Sequence, residues 1–451
     1  MAVTFRLSLL ALLTVTACRS SPSSSTSTRA APPPTAAGQR PAPLVRSGPG
    51  ATPRTRAEFP TTSGDLALSN LESQFQAAEG ALRAAPRDLG PRGNLVSLLL
   101  MRGELLGRIA DYERADTVSR ELVAAKPRGA RDPALAEAHR LRAAVHAVLH
   151  RFTAAETELV QAQKLGINPR SLEPARAGLL EARGRGREAL PVRQRIAAEH
   201  PDVGTLSALA IVEAELGDAA SASRHFVQAQ DQYRNVSPFP LAFLYLQEGL
   251  AAERAGQLGR ARDLFQAAVE RLPSYAPAVS HLAGVLASMG QRKRAIPLLE
   301  GIIKSADDPE PVGQLAALLV AEGRAAEAAP LFARAEARSE DLCKRMPEAF
   351  SDHAARFYLA RGGHADRALA LANFNLAARA TREAHALAIS AAIAAGDPAR
   401  ACQVADALKA SPAFTPLAHL DAARAYQACG RKDEANTLLT QAEQALSPVA
   451  P

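Results

Sequence analysis

The residues of this chain that could carry out chemistry are ten histidines, four cysteines and 46 acidic side chains, and few of them share a recognisable spacing. His139, His146 and His150 fall on one face of a predicted helix, and two imidazoles four residues apart can chelate a metal. No carboxylate or cysteine stands beside them at the spacing of a zinc site. We therefore expect helix-surface histidines, no metal and no cofactor.

Sequence patterns for phosphate binding or nucleophilic catalysis are also missing. Gly184-Arg185-Gly186 lies between two predicted helices, whereas a phosphate-cradling glycine loop joins a strand to a helix. No nucleophile stands in a recognisable pattern with a base. We therefore expect a protein that is not an enzyme.

The composition favours helices throughout. Hydrophobic residues make up 47% of the chain, but aromatic residues only 4%, and tryptophan is absent. The apolar mass is therefore alanine, leucine and valine. Alanine has little side-chain entropy to lose in a helix, whereas a sheet of this length would need more β-branched and aromatic residues. The composition predicts an all-α fold.

The formal charge of +7 is concentrated near the N-terminus. Residues 1–64 contain seven arginines and one acid, Glu58, which leaves 46 basic and 45 acidic residues in the rest of the chain. A neutral body with few aromatic residues lacks the phosphate-neutralising patch and the stacking platforms that nucleic-acid-binding proteins use. We expect no nucleic-acid partner.

Residues 1–17 have the form of a bacterial signal peptide. Arg6 precedes an apolar run from residue 7 to about residue 15, which is too short to span a bilayer. The run ends in Val15-Thr16-Ala17-Cys18, which resembles the lipobox of bacterial lipoproteins, where the cysteine is acylated and becomes the new N-terminus. An ordinary secretory signal with a chance cysteine is the alternative. By the sorting rule of such lipoproteins, Arg19 after the cysteine implies the outer membrane.

Residues 18–64 are predicted to be a disordered tether that begins at the lipidated cysteine. Serine, threonine, proline, alanine and glycine dominate this segment, and few of its residues are apolar enough to bury. A tether of roughly 45 residues spans on the order of 40 Å, so the body can stand away from the membrane. Its six arginines either contact anionic lipid headgroups or only keep the linker soluble.

A two-helix unit recurs along the rest of the chain. In its clearest copy, Gly249 lies in a first helix, Gly256 in the turn, and Ala261 and Phe265 in a second helix. The pattern resembles the tetratricopeptide repeat. The resemblance implies a right-handed α-solenoid of about ten hairpins over residues 94–447, with an N-terminal capping helix in residues 65–93. The small residues that open the ten second helices are Ala115, Ala155, Ala189, Ala222, Ala261, Ala295, Ala328, Ala368, Ala401 and Ala435.

Every third spacing between these alanines is longer by about six residues. We predict that the second helix is extended by nearly two turns at each of the three places, near residues 128–136, 233–240 and 339–347. Chance placement of three insertions is the alternative.

Cys402 and Cys429 are predicted to be neighbours. In the repeat frame, Cys402 opens a second helix and Cys429 closes the following first helix, which runs antiparallel beside it. If the chain is exported, the compartment is oxidising and permits a disulfide. A disulfide and two buried free thiols both remain open.

Repeat proteins of this kind usually bind partners on the concave face made by their first helices. Family members clamp a peptide carboxylate with basic and asparagine side chains, which are missing at the matching positions Ser207, Ile211, Ser280, Gly284, Gly313 and Ala317. A receptor for chaperone tails is therefore disfavoured.

Two first helices instead carry an apolar stripe beside a charge, which suits a partner helix or an extended peptide. We predict that these stripes bind the partner: Phe243, Leu246 and Leu250 with Arg254, and Phe350, His353 and Phe357 with Arg361. The alternative is that these residues, which follow two of the long spacings, simply repack there.

Together these patterns indicate a non-enzymatic scaffold of the bacterial cell envelope, anchored by lipid and serving assembly, secretion, pilus or cell-wall synthesis machinery. An accessory protein or enzyme of envelope polysaccharide metabolism is one alternative, which the lack of aromatic platforms and paired catalytic carboxylates disfavours. A structural repeat protein that associates with itself is another.

Overall fold

The computed structural model describes residues 59–446, and all regular elements in that range are α-helices. The signal peptide, Cys18 and nearly all of the tether lie outside the described residues. A single helix, α1 (Gly64–Ala84), precedes ten helical hairpins, so the predicted all-α solenoid is confirmed. None of the helices in the described range combines the length and apolarity that crossing a bilayer requires.

The hairpins, numbered one to ten, are α2 (Leu89–Leu106) with α3 (Ile109–Val123), α4 (Pro133–Val148) with α5 (Phe152–Lys164), α6 (Pro169–Ala182) with α7 (Gly186–Glu199), α8 (Val203–Glu215) with α9 (Ala219–Gln232), α10 (Phe239–Arg254) with α11 (Leu258–Arg271), α12 (Ala276–Ser288) with α13 (Arg292–Ile302), α14 (Pro309–Ala321) with α15 (Ala325–Arg345), α16 (Pro347–Arg361) with α17 (Ala365–Ala378), α18 (Arg382–Ala394) with α19 (Pro398–Lys409), and α20 (Pro416–Ala428) with α21 (Lys432–Leu446). The array thus begins at Leu89 rather than at residue 94.

A left-handed residue follows the first helix of each hairpin, where it ends the helix. Glycine holds this place in nine hairpins, with φ between 63° at Gly107 and 90° at Gly217. In the second hairpin the residue is His150, with φ 56°, and it is the one non-glycine residue of the described range with positive φ. A side chain in this conformation is strained, so other contacts must hold His150 there.

Glycine inside a first helix lets an aromatic ring of the second helix approach its backbone. A methyl group at Gly249 would lie 2.5 Å from the ring of Phe265, and one at Gly103 would lie 2.5 Å from the ring of Tyr112. The ring therefore occupies the space that a side chain would take. This contact explains why the repeat has a small residue in its first helix and an aromatic residue in its second.

The predicted extension of three second helices is wrong at two of the three places. Only α15, with 21 residues, is extended, whereas α3 and α9 have 15 and 14 residues. The extra residues form connections at 124–132 and 233–238. Pro127 and Gly129 disfavour a longer helix in the first connection, and Pro238 does so in the second, whereas residues 339–346 contain neither residue type.

The array winds back on itself, so that two turns of the superhelix touch. The hairpin turns at Gly107, His150, Gly184 and Gly217 meet segments about 200 residues later in the chain. At the N-terminal end, the amide of Thr62 donates to the carbonyl oxygen of Val236 at 2.7 Å. We call the contacts of these hairpin turns the interturn seam; their counterparts are residues 276 and 306–308, 348, 380–381 and 416.

The surroundings of the hairpin-turn glycines show that the seam covers only the early hairpins. A methyl group would be 3.1 Å from the Cβ of Ala276 at Gly107 and 3.1 Å from the ring of Pro416 at Gly217. At Gly256, by contrast, it would meet nothing within 4 Å, and the same holds for the glycines that close all later hairpins. The early hairpin turns are therefore covered by the second turn of the coil, and the later ones face open space.

Candidate functional site: the interior of the superhelix

The first of the two predicted stripes lies inside the coil and is buried. Phe243, Leu246 and Leu250 of α10 are 4%, 3% and 7% exposed. Arg254, at the end of the same helix, lies 3.9 Å from the carboxylate of Glu383, which belongs to the ninth hairpin. The stripe therefore packs within the chain. Binding of a partner to it stays a prediction and would require the coil to open.

The second stripe is also mostly enclosed. Phe350 is 6% exposed, and the His353 side chain is 8% exposed. Phe357 is half-buried, and its ring lies against Gly313, where a methyl group would be 2.8 Å away. Arg361 forms an ion pair with Glu336 on α15. Only the outer end of this stripe is open to solvent.

A small cleft, with an internal volume of about 50 Å³, lies between α2, α10, α12, α14 and α16. Its apolar wall includes Leu246 and Leu250 of the first stripe. The remaining lining residues are Glu104, Gly107, Gln247, Ala276, Pro277, Ser280, His281, Asp308, Glu310, Pro311 and His353. His281 and His353 are paired with carboxylates, since their Nδ1 atoms lie 3.1 Å from Glu253 and 2.7 Å from Glu310.

Charged side chains fill the interior beyond this cleft. Arg382 binds the carboxylate of Asp421 at 2.8 Å and lies beside Glu383. Burial opposes ionisation of Glu383, but Arg382 and Arg254 outweigh it and hold the pKa of this carboxyl at about 2. Burial raises the pKa of Glu215, at the end of α8, well above its ordinary value. This part of the interior is thus lined by charged side chains that are largely, but not fully, buried.

On the outer side of the interturn seam, a carboxylate of one turn caps a helix of the other. The Asp307 carboxylate accepts hydrogen bonds from the backbone amides of Ile109 and Ala110, the latter at 3.1 Å, at the start of α3. The helix has no side-chain cap of its own. Asp307 also binds Arg338 at 3.0 Å. The free amides that begin a helix therefore find their acceptor 197 residues away.

A second contact of the seam is centred on His150, which is 6% exposed. Its Nδ1 donates to the backbone carbonyl of Glu348 at 3.0 Å, and its ring lies 3.5 Å from the guanidinium of Arg379. Arg379 is in turn 3.8 Å from Asp352, which is 1% exposed. The left-handed conformation of His150 is thus held by residues of the eighth hairpin.

The same surroundings keep His150 neutral. Burial and the nearby Arg379 lower the pKa of His150 to about 3, and burial with Arg142 lowers the pKa of His146 to about 4. Burial would raise the pKa of Asp352, yet His353 and Arg379 hold it at about 2. Since an unfolded histidine binds a proton near pH 6.5, the folded state loses stability as pH falls below that value.

The three histidines predicted on one face of α4 separate in the structure. His139 and His146 both approach Glu158 of α5, at 2.5 Å and 4.0 Å, whereas His150 joins the seam. Sequence spacing could not show this carboxylate, because it comes from the other helix of the hairpin. Within residues 59–446, no group of three or more histidine, cysteine or acidic side chains has the arrangement of a metal site.

Cys402 and Cys429 are brought together. They form a disulfide whose Cα atoms are 6.4 Å apart, a separation within the range common for such bonds. The bond joins the start of α19 to the residue after α20. Cys343 is a buried free thiol, 7% exposed, and burial raises its pKa to about 11.

Residues 252–319, which contain α11 to α13 and most of α14, match the tetratricopeptide repeat family. This segment therefore carries tetratricopeptide repeats. The tetratricopeptide fold is one that serves protein–protein interaction. None of the curated proteins matches the sequence of this chain.

Solved structures resemble the chain only weakly. The Cut9–Hcn1 hetero-tetramer of the APC/C has 14% identity, 85% coverage of this chain, 92% coverage of the other chain and a TM-score of 0.39. The human IFIT1 dimer with PPP-AAAA has 14% identity, 87% and 97% coverage, and a TM-score of 0.38. Similarity at this level says nothing about the function of this chain.

Proposed function

We propose that this protein is a lipid-anchored scaffold of the bacterial cell envelope, which holds a partner protein of an assembly, secretion, pilus or cell-wall synthesis machine. The observation that carries the proposal is the N-terminal pattern, in which a short apolar run ends in Val15-Thr16-Ala17-Cys18. Two or three acyl chains on Cys18 would supply the multiple anchoring that a single chain cannot. Arg19 favours the outer membrane, with the repeats facing the periplasm.

The pair Cys402–Cys429 supports the same location. Disulfides persist in oxidising compartments such as the periplasm and are rare in the bacterial cytoplasm. The repeat array supports the scaffold role, because stacked helix pairs offer long surfaces to a partner and the buried ionisable groups are mostly paired with one another.

Acyl labelling tests the anchor directly. Cells that express the protein are fed an alkyne fatty acid, and the purified protein is assayed for the label and for partition into detergent. We expect label and detergent partition for the unaltered protein, and loss of both in Cys18→Ala. Cys343→Ala is the matched control and should keep both. A labelled Cys18→Ala protein, or an unlabelled parent protein, would contradict the anchor.

Crosslinking in intact cells followed by mass spectrometry tests the scaffold role. We expect one partner protein to be recovered in stoichiometric amount, with crosslinks to the repeats. Crosslinks only between copies of this chain would instead support a self-associating structural protein, and crosslinks to neither would contradict a stable scaffold.

A further inference from the structure

The forces that hold the two turns of the coil together differ from those that hold each turn. Within a turn, neighbouring helices share an apolar core, with residues such as Leu264 and Phe265 fully buried. Across the seam the contacts are mainly those of turns and connections. They include a helix cap from Asp307, the Glu113–Arg345 ion pair, the hydrogen bond from His150 to the Glu348 carbonyl, and backbone approaches such as that of Gly184 to Ala380.

The polar contacts of the seam are partly open to water. The side chains of Arg345 and Glu113 are 42% and 27% exposed, and those of Asp307 and Arg338 are 38% and 27% exposed. Ion pairs this exposed contribute little, whereas the core within each turn is dry. The outer contacts of the seam therefore contribute little stability, and its buried polar contacts are confined to the one hairpin turn at His150.

We infer that the seam is a latch, and that the coil opens there without unfolding its hairpins. The inference rests on the proposed function only for the use of the opening, which is to admit a partner to the interior. Opening separates α2 from α12, breaks the Asp307 cap and uncovers the cleft. The stripe of Leu246 and Leu250, which forms one wall of that cleft, is then exposed.

Two polar contacts of the seam can form only when the two turns of the coil lie against each other. Asp307 satisfies two amides of α3 that have no other side-chain acceptor, and His150 adopts a strained conformation to reach Glu348. Both features are specific to the closed coil. When the coil opens, water can replace both contacts, because each lies at a hairpin turn rather than inside a helix.

Thiol accessibility in the purified protein measures the opening without any partner. Ser280, 6% exposed and lining the cleft, is replaced by cysteine in a background that carries Cys18→Ala and Cys343→Ala, and its reaction with a thiol reagent is timed under native conditions. The latch variant is Asp307→Asn with Glu113→Gln. We expect roughly a tenfold faster reaction, since one helix cap and one exposed ion pair are lost.

The matched control variant is Glu327→Gln with Glu434→Gln, which removes two partly exposed carboxylates that pair with arginines of their own helix ends, away from the seam. This control should leave the rate unchanged. Cysteine at Ala261, buried inside one hairpin, should react equally slowly in every variant. If the latch variant reacts no faster than the control, or if position 261 accelerates as much as position 280, the inference is overturned.

A disulfide across the seam gives a second test, because it prevents the coil from opening. Cysteines at Gly107 and Ala276, whose Cβ atoms would be 3.1 Å apart, should form a disulfide across the seam after a small adjustment. The oxidised variant should show slower amide hydrogen exchange in α10 and α12 than its reduced form. Equal exchange in the two forms would show that the interior does not open at the seam. Neither assay depends on lipid or location, so its failure is distinct from failure of the proposed function.

Discussion

Replacing Gly184 by alanine tests the seam in the backbone itself. Gly184 has φ 80°, and an added methyl group would overlap the carbonyl group of Ala380, lying 2.7 Å from its carbon and 3.0 Å from the amide nitrogen of Thr381. Gly323 is a matched control, with φ 79° in the turn of the seventh hairpin and nothing within 4 Å of the added methyl group. Both variants strain the left-handed conformation by about 1–2 kcal/mol. Only Gly184→Ala also meets the second turn of the coil.

Overfilling a packed contact costs typically about 1–3 kcal/mol, so Gly184→Ala should lose that much more stability than Gly323→Ala. Solenoids unfold in segments rather than in two states, so the comparison is made locally by amide hydrogen exchange. Faster exchange is expected in residues 379–394 of Gly184→Ala, although they lie about 200 residues from the substitution. If exchange in that segment is the same in both variants, the contact between Gly184 and Ala380 does not exist in solution.

Three further outcomes are expected. Cys402→Ser should destabilise the C-terminal hairpins by about 3–4 kcal/mol, because the Cys402–Cys429 disulfide closes a separation of 27 residues. Cys343→Ser should leave the melting temperature of these hairpins unchanged under oxidising conditions. Equal melting temperatures of the two variants would refute the disulfide. The melting temperature should fall as the pH is lowered from 6.5 to 4.5, because the buried His150 resists protonation. His150→Asn, in which asparagine tolerates the positive φ, should make this fall smaller. An unchanged dependence of melting temperature on pH would show that His150 titrates normally. Gly249→Ala should destabilise the fifth hairpin by about 1–3 kcal/mol, because the added methyl group meets the Phe265 ring. Gly259→Ala meets nothing within 4 Å and should stabilise α11 by up to about 1 kcal/mol. Circular dichroism melting curves that shift in the same direction for both variants would contradict this packing.

The sequence predicts the hairpins because their signals are local. Glycine ends a first helix, proline ends a second, and small residues recur where helices cross, so each of the ten units can be recognised from its own residues. The three long spacings could not be assigned from spacing alone. Pro127 and Pro238 disfavour a longer helix at two of them, whereas residues 339–346, which contain neither proline nor glycine, continue α15.

The interior site could not be predicted in the same way, because it depends on contacts between residues about 200 positions apart. The sequence shows the stripe at Leu246 and Leu250 but not that a second turn of the coil covers it. One signal was present. His150 replaces the glycine of the other hairpin turns, and a histidine in a left-handed position indicates a contact that holds it.

The central claim is that two turns of this helical superhelix lie against each other. Spin labels at Glu188 and Pro412, which are exposed on opposite sides of the contact between Arg187 and the Phe414 carbonyl, measure that spacing by double electron–electron resonance. The closed coil predicts one short and narrow distance distribution. A distribution centred farther away by at least about 20 Å, the length of one helix such as α7, would contradict it.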